Sequence, residues 1–266
     1  VKLQPIIYFL IAIVSTTAGA IAGIGGGIIM RPVLDILGDF DVQSISMLSS
    51  LTVLVMSFVS AGKQLMMKTV IDFKIVLPLA IGAALGGTLG QHLLTMIVNA
   101  LEMGQTVTVI QNALLLIMAI SVFVYMRRRA SIESKNLSGK PLIVLTGLVL
   151  GVLAAFLGIG GGPINIAVVI FLFSFNIKTA MVCSIVVILF SQSANAIYAS
   201  LTVGFGAFNL QMLPPMMIGA VAGGFIGAIL NKKLSERVVE NCFNVMQGLV
   251  ATFAIFNIIS GLNYLS

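Results

Sequence analysis

Charge is what this sequence has least of. Only 8% of its 266 residues are Asp, Glu, Lys or Arg, whereas soluble domains run at roughly a quarter, and 59% are apolar. That shortage excludes a water-soluble globule. No charge occurs in the 37 residues between Lys140 and Lys178, nor in the 53 between Lys178 and Lys232, and each run holds one or more spans of about 20 residues. Histidine is nearly absent too: His92 stands alone, and most of the eight acids lie at the ends of apolar segments, Asp35 being the one placed to lie deep. With no nucleophile beside a base, no clustered acids and no paired histidines, the chain is not expected to be an enzyme or to hold a metal or cofactor. The two cysteines, Cys183 and Cys242, sit inside apolar segments and offer neither a disulfide framework nor metal-ligand spacing.

What is present is apolar sequence in continuous blocks, which speaks for helices and against the alternating segments of a β-barrel. The fold class expected is therefore an all-α polytopic membrane protein. The net charge of +6 does not point to nucleic acid, because the basic residues sit almost wholly in short loops between blocks, where they set topology. The first block, from Pro5 on, runs without a cleavage site into a glycine cluster and reads as a span rather than a leader.

Eight blocks can be counted: Pro5 to Gly38, Val42 to Gly62, Ile75 to Leu101, Met103 to Met126, Pro141 to Ile177, Thr179 to Leu201, Phe208 to Asn231, and Asn241 to the C-terminus. Four lie on each side of the polar segment Arg127 to Lys140, so the chain divides into a first repeat (1–126), a basic linker (127–140) and a second repeat (141–266). The halves match. GIGGG at Gly23 to Gly27 recurs at Gly158 to Gly162, LSSLTVL from Leu48 answers VCSIVVI from Val182, and PLAIGAALGGTLG from Pro78 answers PMMIGAVAGGFIG from Pro215.

Each half opens on a block too long for one straight span, since 34 helical residues measure roughly 51 Å against about 30 Å of hydrocarbon. The glycine triplet supplies a break, and each half becomes a discontinuous or re-entrant first helix followed by three spans. If the broken block returns to its starting side, the halves are inverted; if it crosses, they are parallel. Inversion puts 12 of the 14 Lys and Arg residues on one side, whereas the parallel arrangement divides them 8 against 4. The positive-inside rule prefers inverted repeats with a cytoplasmic linker, a plan common among secondary transporters.

The candidate site lies at the two breaks, because unwound backbone at membrane depth is tolerated only where it lines a cavity or is covered by protein. Pro163 suits the first position of a restarting helix, while Pro32 biases Arg31 away from helix and predicts a later, less regular restart in the first half. Half-helix N-termini and Arg31 suit a small oxyanion, although Arg31 can equally pair with Asp35. Gly25, Gly26, Gly27, Arg31, Gly160, Gly161, Gly162 and Asn165 are the candidates at the breaks, with Ser49, Ser50, Cys183 and Ser184 at matched positions of the following helices. Valine at Gly26 or Gly161 is expected to block such a site without unfolding the protein. The competing reading of GIGGG is close packing through small residues. A nucleotide loop is excluded, because neither the third glycine of GxGxxG nor a GK[ST] follows. The stripes Gly82, Gly86, Gly90 and Gly219, Gly223, Gly227 read as helix packing, and His92 as an interface histidine.

Paired GIGGG clusters, serine-bearing second helices, glycine-striped third helices and the basic central loop together resemble the sulfite exporter TauE/SafE family, the four-toluene sulfonate uptake permease group. The likeness spans nearly the whole chain; Pro32 matches the family's proline beyond the first glycine cluster, whereas Ala167 stands at the equivalent place in the second half. The resemblance implies a multi-pass secondary transporter of the cytoplasmic membrane working by alternating access. The cargo the resemblance implies is small sulfur-containing anions or organic acids, such as sulfite, sulfonates or sulfoacetate. The partners implied are a small anion and the lipid bilayer, with a homodimer left open. A passive anion channel and a membrane scaffold that transports nothing remain the competing classes.

Overall fold

The computed structural model describes residues 3–265 apart from 70, 102, 103, 138, 158 and 160. Among them are ten α-helices and no strand: α1 (Gln4–Ala22), α2 (Gly27–Leu37), α3 (Val42–Met66), α4 (Phe73–Leu101), α5 (Gly104–Arg128), α6 (Lys140–Phe156), α7 (Pro163–Phe173), α8 (Ile177–Thr202), α9 (Leu213–Lys233) and α10 (Glu236–Leu265). Seven are long and apolar enough to cross a membrane; α2, α6 and α7 are shorter. Eight apolar blocks become ten helices because the first and fifth both break at GIGGG.

The two breaks close alike. Gly23 adopts φ +69°, a left-handed conformation that glycine enters without steric cost, and Ile24 N–H returns to Gly19 O at 3.0 Å. In the second half Ile159 N–H returns to Ala154 O at 3.2 Å, 135 residues further on. Restart differs from expectation in one place. Helix α2 begins at Gly27 immediately and runs through Pro32. Proline forfeits one intrahelical N–H donor there, but Pro32 O accepts a hydrogen bond from Asn257 Nδ2 at 3.2 Å, and this tertiary tie accompanies the helical conformation that sequence alone disfavours at Arg31. Helix α7 starts at Pro163, as its sequence suggests.

Contacts fix the helix directions. Tyr8 Oη donates to Asp39 Oδ2 at 2.7 Å and the Tyr8 ring meets Phe40 edge-on, so α1 and α2 form a hairpin that begins and ends at one end of the bundle. Gly219, Gly223 and Gly227 rest on the carbonyls of Phe9, Ile13 and Thr17, so α9 runs parallel to α1. Gly82, Gly86 and Gly90 rest on those of Val144, Leu148 and Val152, so α4 runs parallel to α6. A Cβ added at any of the six would lie 2.0–2.9 Å from the facing oxygen, and both seams therefore require glycine. Helices α5 and α10 are antiparallel, with Gly261 on Val109, Asn257 bonded to Asn112 and Arg129 paired with Glu240 at 2.9 Å. Helices α3 and α8 are antiparallel as well: Met47 packs in one cluster with Ala199, Asn195 bonds Ser50, and Met56 shares a cluster with Ile188.

One end of the bundle gathers the basic segments. Lys178 Nζ donates to Lys232 O at 3.3 Å, Lys232 Nζ donates to Met67 O, and the linker's Lys135 N–H reaches Phe171 O at 2.9 Å. Arg129, Ile177 and Glu236 line one cleft there. The opposite end carries Asp39 and Asp41, the latter capping α3 through Gln43 N–H and Ser44 N–H.

Candidate functional site

The two breaks meet. A Cβ on Gly27 would fall 2.0 Å from Ile159 O of the second break and 2.9 Å from Ser49 Oγ. Gly26 lies against Ser15 and Thr16 of α1, where a Cβ would approach the Thr16 Cα at 2.9 Å, and Gly25 is left-handed at φ +72°. Gly161, at φ +121°, faces the Ile188 side chain, and Gly162 caps α7 in extended conformation. Gly160, the remaining candidate of the second triplet, lies outside the described residues, as does Gly158. The described glycines of both clusters are all buried, so close packing through small residues has a place here. Valine at Gly26 has no room, however, because its Cβ meets fixed backbone of α1 rather than a movable side chain. The expectation that such a variant stays folded is corrected accordingly.

Arg31 is the most consequential side chain. It is 2% exposed, one turn beyond Gly27 on α2, and its Nη2 donates to Gln111 Oε1 at 2.5 Å. Gln111 in turn donates through Nε2 to Phe156 O at 2.6 Å, the last residue of α6, and so ties Arg31 to the second break. Asp35 comes no nearer than 3.9 Å, from Oδ2 to Arg31 Nε, and Arg31 Nε and Nη1 have no hydrogen-bond partner among the described residues. The carboxylate is held instead by Asn112 Nδ2 at 3.4 Å, and Asn112 Oδ1 accepts from Asn257 Nδ2 at 3.2 Å. Arg31 is thus a loose partner of Asp35 and a buried guanidinium whose Nε and Nη1 are unspent among the described residues. Such donors are costly in a low-dielectric interior unless something accepts them.

Depth sorts the other candidates. Arg31 lies six residues before the end of α2, Gln111 seven after the start of α5, Ser49 seven after the start of α3, and Asn195 seven before the end of α8. Six or seven residues of helix measure about 10 Å, so these four sit at one level beneath the acidic end. Ser50 belongs with them, accepting from Asn195 Nδ2 at 3.2 Å, and Ser49 Oγ is buried without a partner among the described residues. Cys183 and Ser184 are equally buried but lie six and seven residues from the start of α8, at the basic end. Matched sequence positions are thus separated in depth, because α3 and α8 run in opposite directions. Asn165 is buried in the first turn of α7 with Oδ1 unpartnered.

Three participants escaped the sequence reading: Gln111, Asn112 and Asn257. A signal for the first existed, since Val109-Ile110-Gln111 is answered by Val245-Met246-Gln247 at an offset of 136. Gln247 is buried, and among the described residues neither of its amide atoms has a partner. At the offset of the glycine clusters, Ile166 and Ile170 stand where the first half has Arg31 and Asp35, so the charged pair occurs once. His92 Nδ1 lies 2.8 Å from Tyr198 Oη, an interface contact between α4 and α8.

Membrane-length helices, two broken ones meeting inside the bundle, and polar side chains gathered there make the build of a polytopic membrane transporter. The chain matches the family described as "Sulfite exporter TauE/SafE" over residues 8–254, and it belongs to that family. It is similar to the "Probable membrane transporter protein YunE" of Bacillus subtilis (strain 168), with 22% identity over 273 residues, 94% of this chain and 97% of that relative. No solved structure matches the chain.

Proposed function

We propose that this protein is a secondary transporter of small oxyanions, sulfur-containing ones such as sulfite or sulfonates in the first place, in the cytoplasmic membrane. The anion binds beside Arg31, where the guanidinium offers Nε and Nη1, Ser49 offers a hydroxyl, and Gly27 brings the start of α2 against the second break. The observation that carries this reading is the pair of unspent guanidinium donors on a residue 2% exposed. A buried positive charge with free donors, one turn from a half-helix N-terminus, favours an anion of small radius.

We read the two halves as inverted repeats. Support comes from the hairpin that returns α2 to the starting end of α1, and from α1 running parallel to α9 while α6 runs parallel to α4. Going along the chain, those relations give α1 and α6 opposite directions. The positive-inside rule then assigns the basic end to the cytoplasm and the Arg31 level to the outer half of the membrane. Alternating access would switch the exposure of that level between the two sides.

The test is counterflow of labelled sulfite and isethionate in proteoliposomes, with acetate and chloride as competitors. Saturable exchange of a sulfur anion, lost in Arg31→Gln at normal folded yield, is the expected result. Flux that never saturates would indicate a channel instead, and absence of exchange or binding for every anion would indicate a scaffold.

A further inference from the structure

We propose that anion binding at Arg31 is coupled to protonation of Asp35, so that one proton accompanies each anion. The proposal rests on the Arg31 reading above and concerns what that reading leaves unstated, the coupling ion. It starts from a count of charges. In the empty site Arg31 and Asp35 sum to zero, both side chains being at most 5% exposed. An arriving anion makes the sum −1, and a net charge enclosed at membrane depth is strongly disfavoured. Neutrality returns when Asp35 takes a proton.

The geometry suits that exchange. No hydrogen bond joins Asp35 to Arg31, whose Nε stands 3.9 Å away, and the only hydrogen bond to the carboxylate among the described residues is the 3.4 Å one from Asn112. An anion on Nε and Nη1 therefore competes with Asp35 for the same guanidinium without first breaking a hydrogen bond between them. Asn112 is held from its far side by Asn257, and Arg31 by Gln111, so both groups stay in place while the proton moves. Facing Asp35 from the elements packed on it are Arg31 on its own helix, Asn112 on α5 and Asn257 on α10; Arg31 is the one charged group among these. The step is proton transfer alone. An O–H bond forms on Asp35 with a proton from the side to which the site is open, and it breaks when the site opens to the other side. Ile166 and Ile170 at the equivalent positions of the second half supply no second pair, which sets the ratio at one.

The probe is isethionate, whose sulfonate stays ionised throughout the accessible pH range and so carries no proton of its own. In proteoliposomes a pH step of one unit at zero membrane potential should sustain about a tenfold isethionate gradient, the limit for one proton per monovalent anion. Asp35→Asn should lose pH-driven accumulation of isethionate and accumulate it instead in response to membrane potential. If that variant does not fold, the wild-type ratio decides alone. Exchange with no response to the pH step, or accumulation that follows a sodium gradient, overturns the proton assignment while leaving the Arg31 site standing. Absence of saturable exchange for both isethionate and sulfite in the wild type overturns the site reading, and this proposal with it.

Discussion

Gly86→Ala is the smallest change that tests the seam between α4 and α6. The added Cβ would sit 2.0 Å from Leu148 O, whereas a carbon and a carbonyl oxygen approach comfortably at about 3.3 Å. The helices must therefore part by about 1 Å locally, and a radial gap of that size forfeits roughly a quarter to a half of the dispersion energy of each contact it opens. Gly82 and Gly90 share the seam, with Cβ approaches of 2.0 and 2.4 Å to Val144 O and Val152 O, so the loss spreads over three turns. Overpacking of this kind costs about 1–3 kcal/mol, and alanine returns at most about 1 kcal/mol of helix propensity. Gly248 on α10 provides the control, because a Cβ there meets nothing within 4 Å. Gly248→Ala should hold or raise stability by up to about 1 kcal/mol, while Gly86→Ala lowers it by about 2 kcal/mol. Unfolding of both variants in mixed micelles, followed by circular dichroism against added SDS, measures the difference. Equal stability of the two, or a stabilised Gly86→Ala, would refute the claim that backbone contact at this seam requires glycine.

Other outcomes follow from the site and the helix directions. Ser49→Ala should weaken anion binding by about 1–2 kcal/mol, whereas Ser184→Ala, at the far depth, leaves it unchanged; titration calorimetry of purified protein separates them. Gln111→Leu frees Arg31 Nη2 and the Phe156 carbonyl together and should lower folded yield or affinity by about 1–3 kcal/mol, read by yield and by anion titration. Gly26→Val should be recovered only in trace amounts after detergent extraction, because the Thr16 backbone blocks it; normal yield would mean that the hairpin yields more than its packing implies. Cysteines placed at 135, 178 and 235 should all resist an impermeant reagent added to intact cells, and labelling at 178 or 235 would overturn the assignment of the basic end.

The long helices were legible because most of each lies in one apolar block, and the breaks because three consecutive glycines inside such a block have few other uses. Legibility failed at Pro32. Sequence rules see the lost N–H and the constraint on Arg31, but not Asn257, which arrives from the last helix to bond the proline's carbonyl. The matched serines misled for a related reason. Similarity at a fixed offset says that Ser50 and Ser184 are equivalent, yet equivalence under antiparallel packing means equal distance from opposite ends, and only the helix directions reveal it. Gln111 and Asn112 are two of several polar residues in the first half of α5, and nothing local distinguishes them from side chains that bond their own backbone.

The two glycine seams also set a timetable for synthesis. Helix α1 finds its glycine seam on α9, so Phe9 waits for Gly219, 210 residues later in the chain. At roughly 5–20 residues per second that interval is about 10 to 40 s, during which α1 has no glycine groove to occupy. Helix α4 waits far less, since Leu148 follows Gly86 closely in the chain. Helix α1, made long before α9, thus reaches its resting seam late. A chain severed at the linker would have to find its other piece before either seam could close.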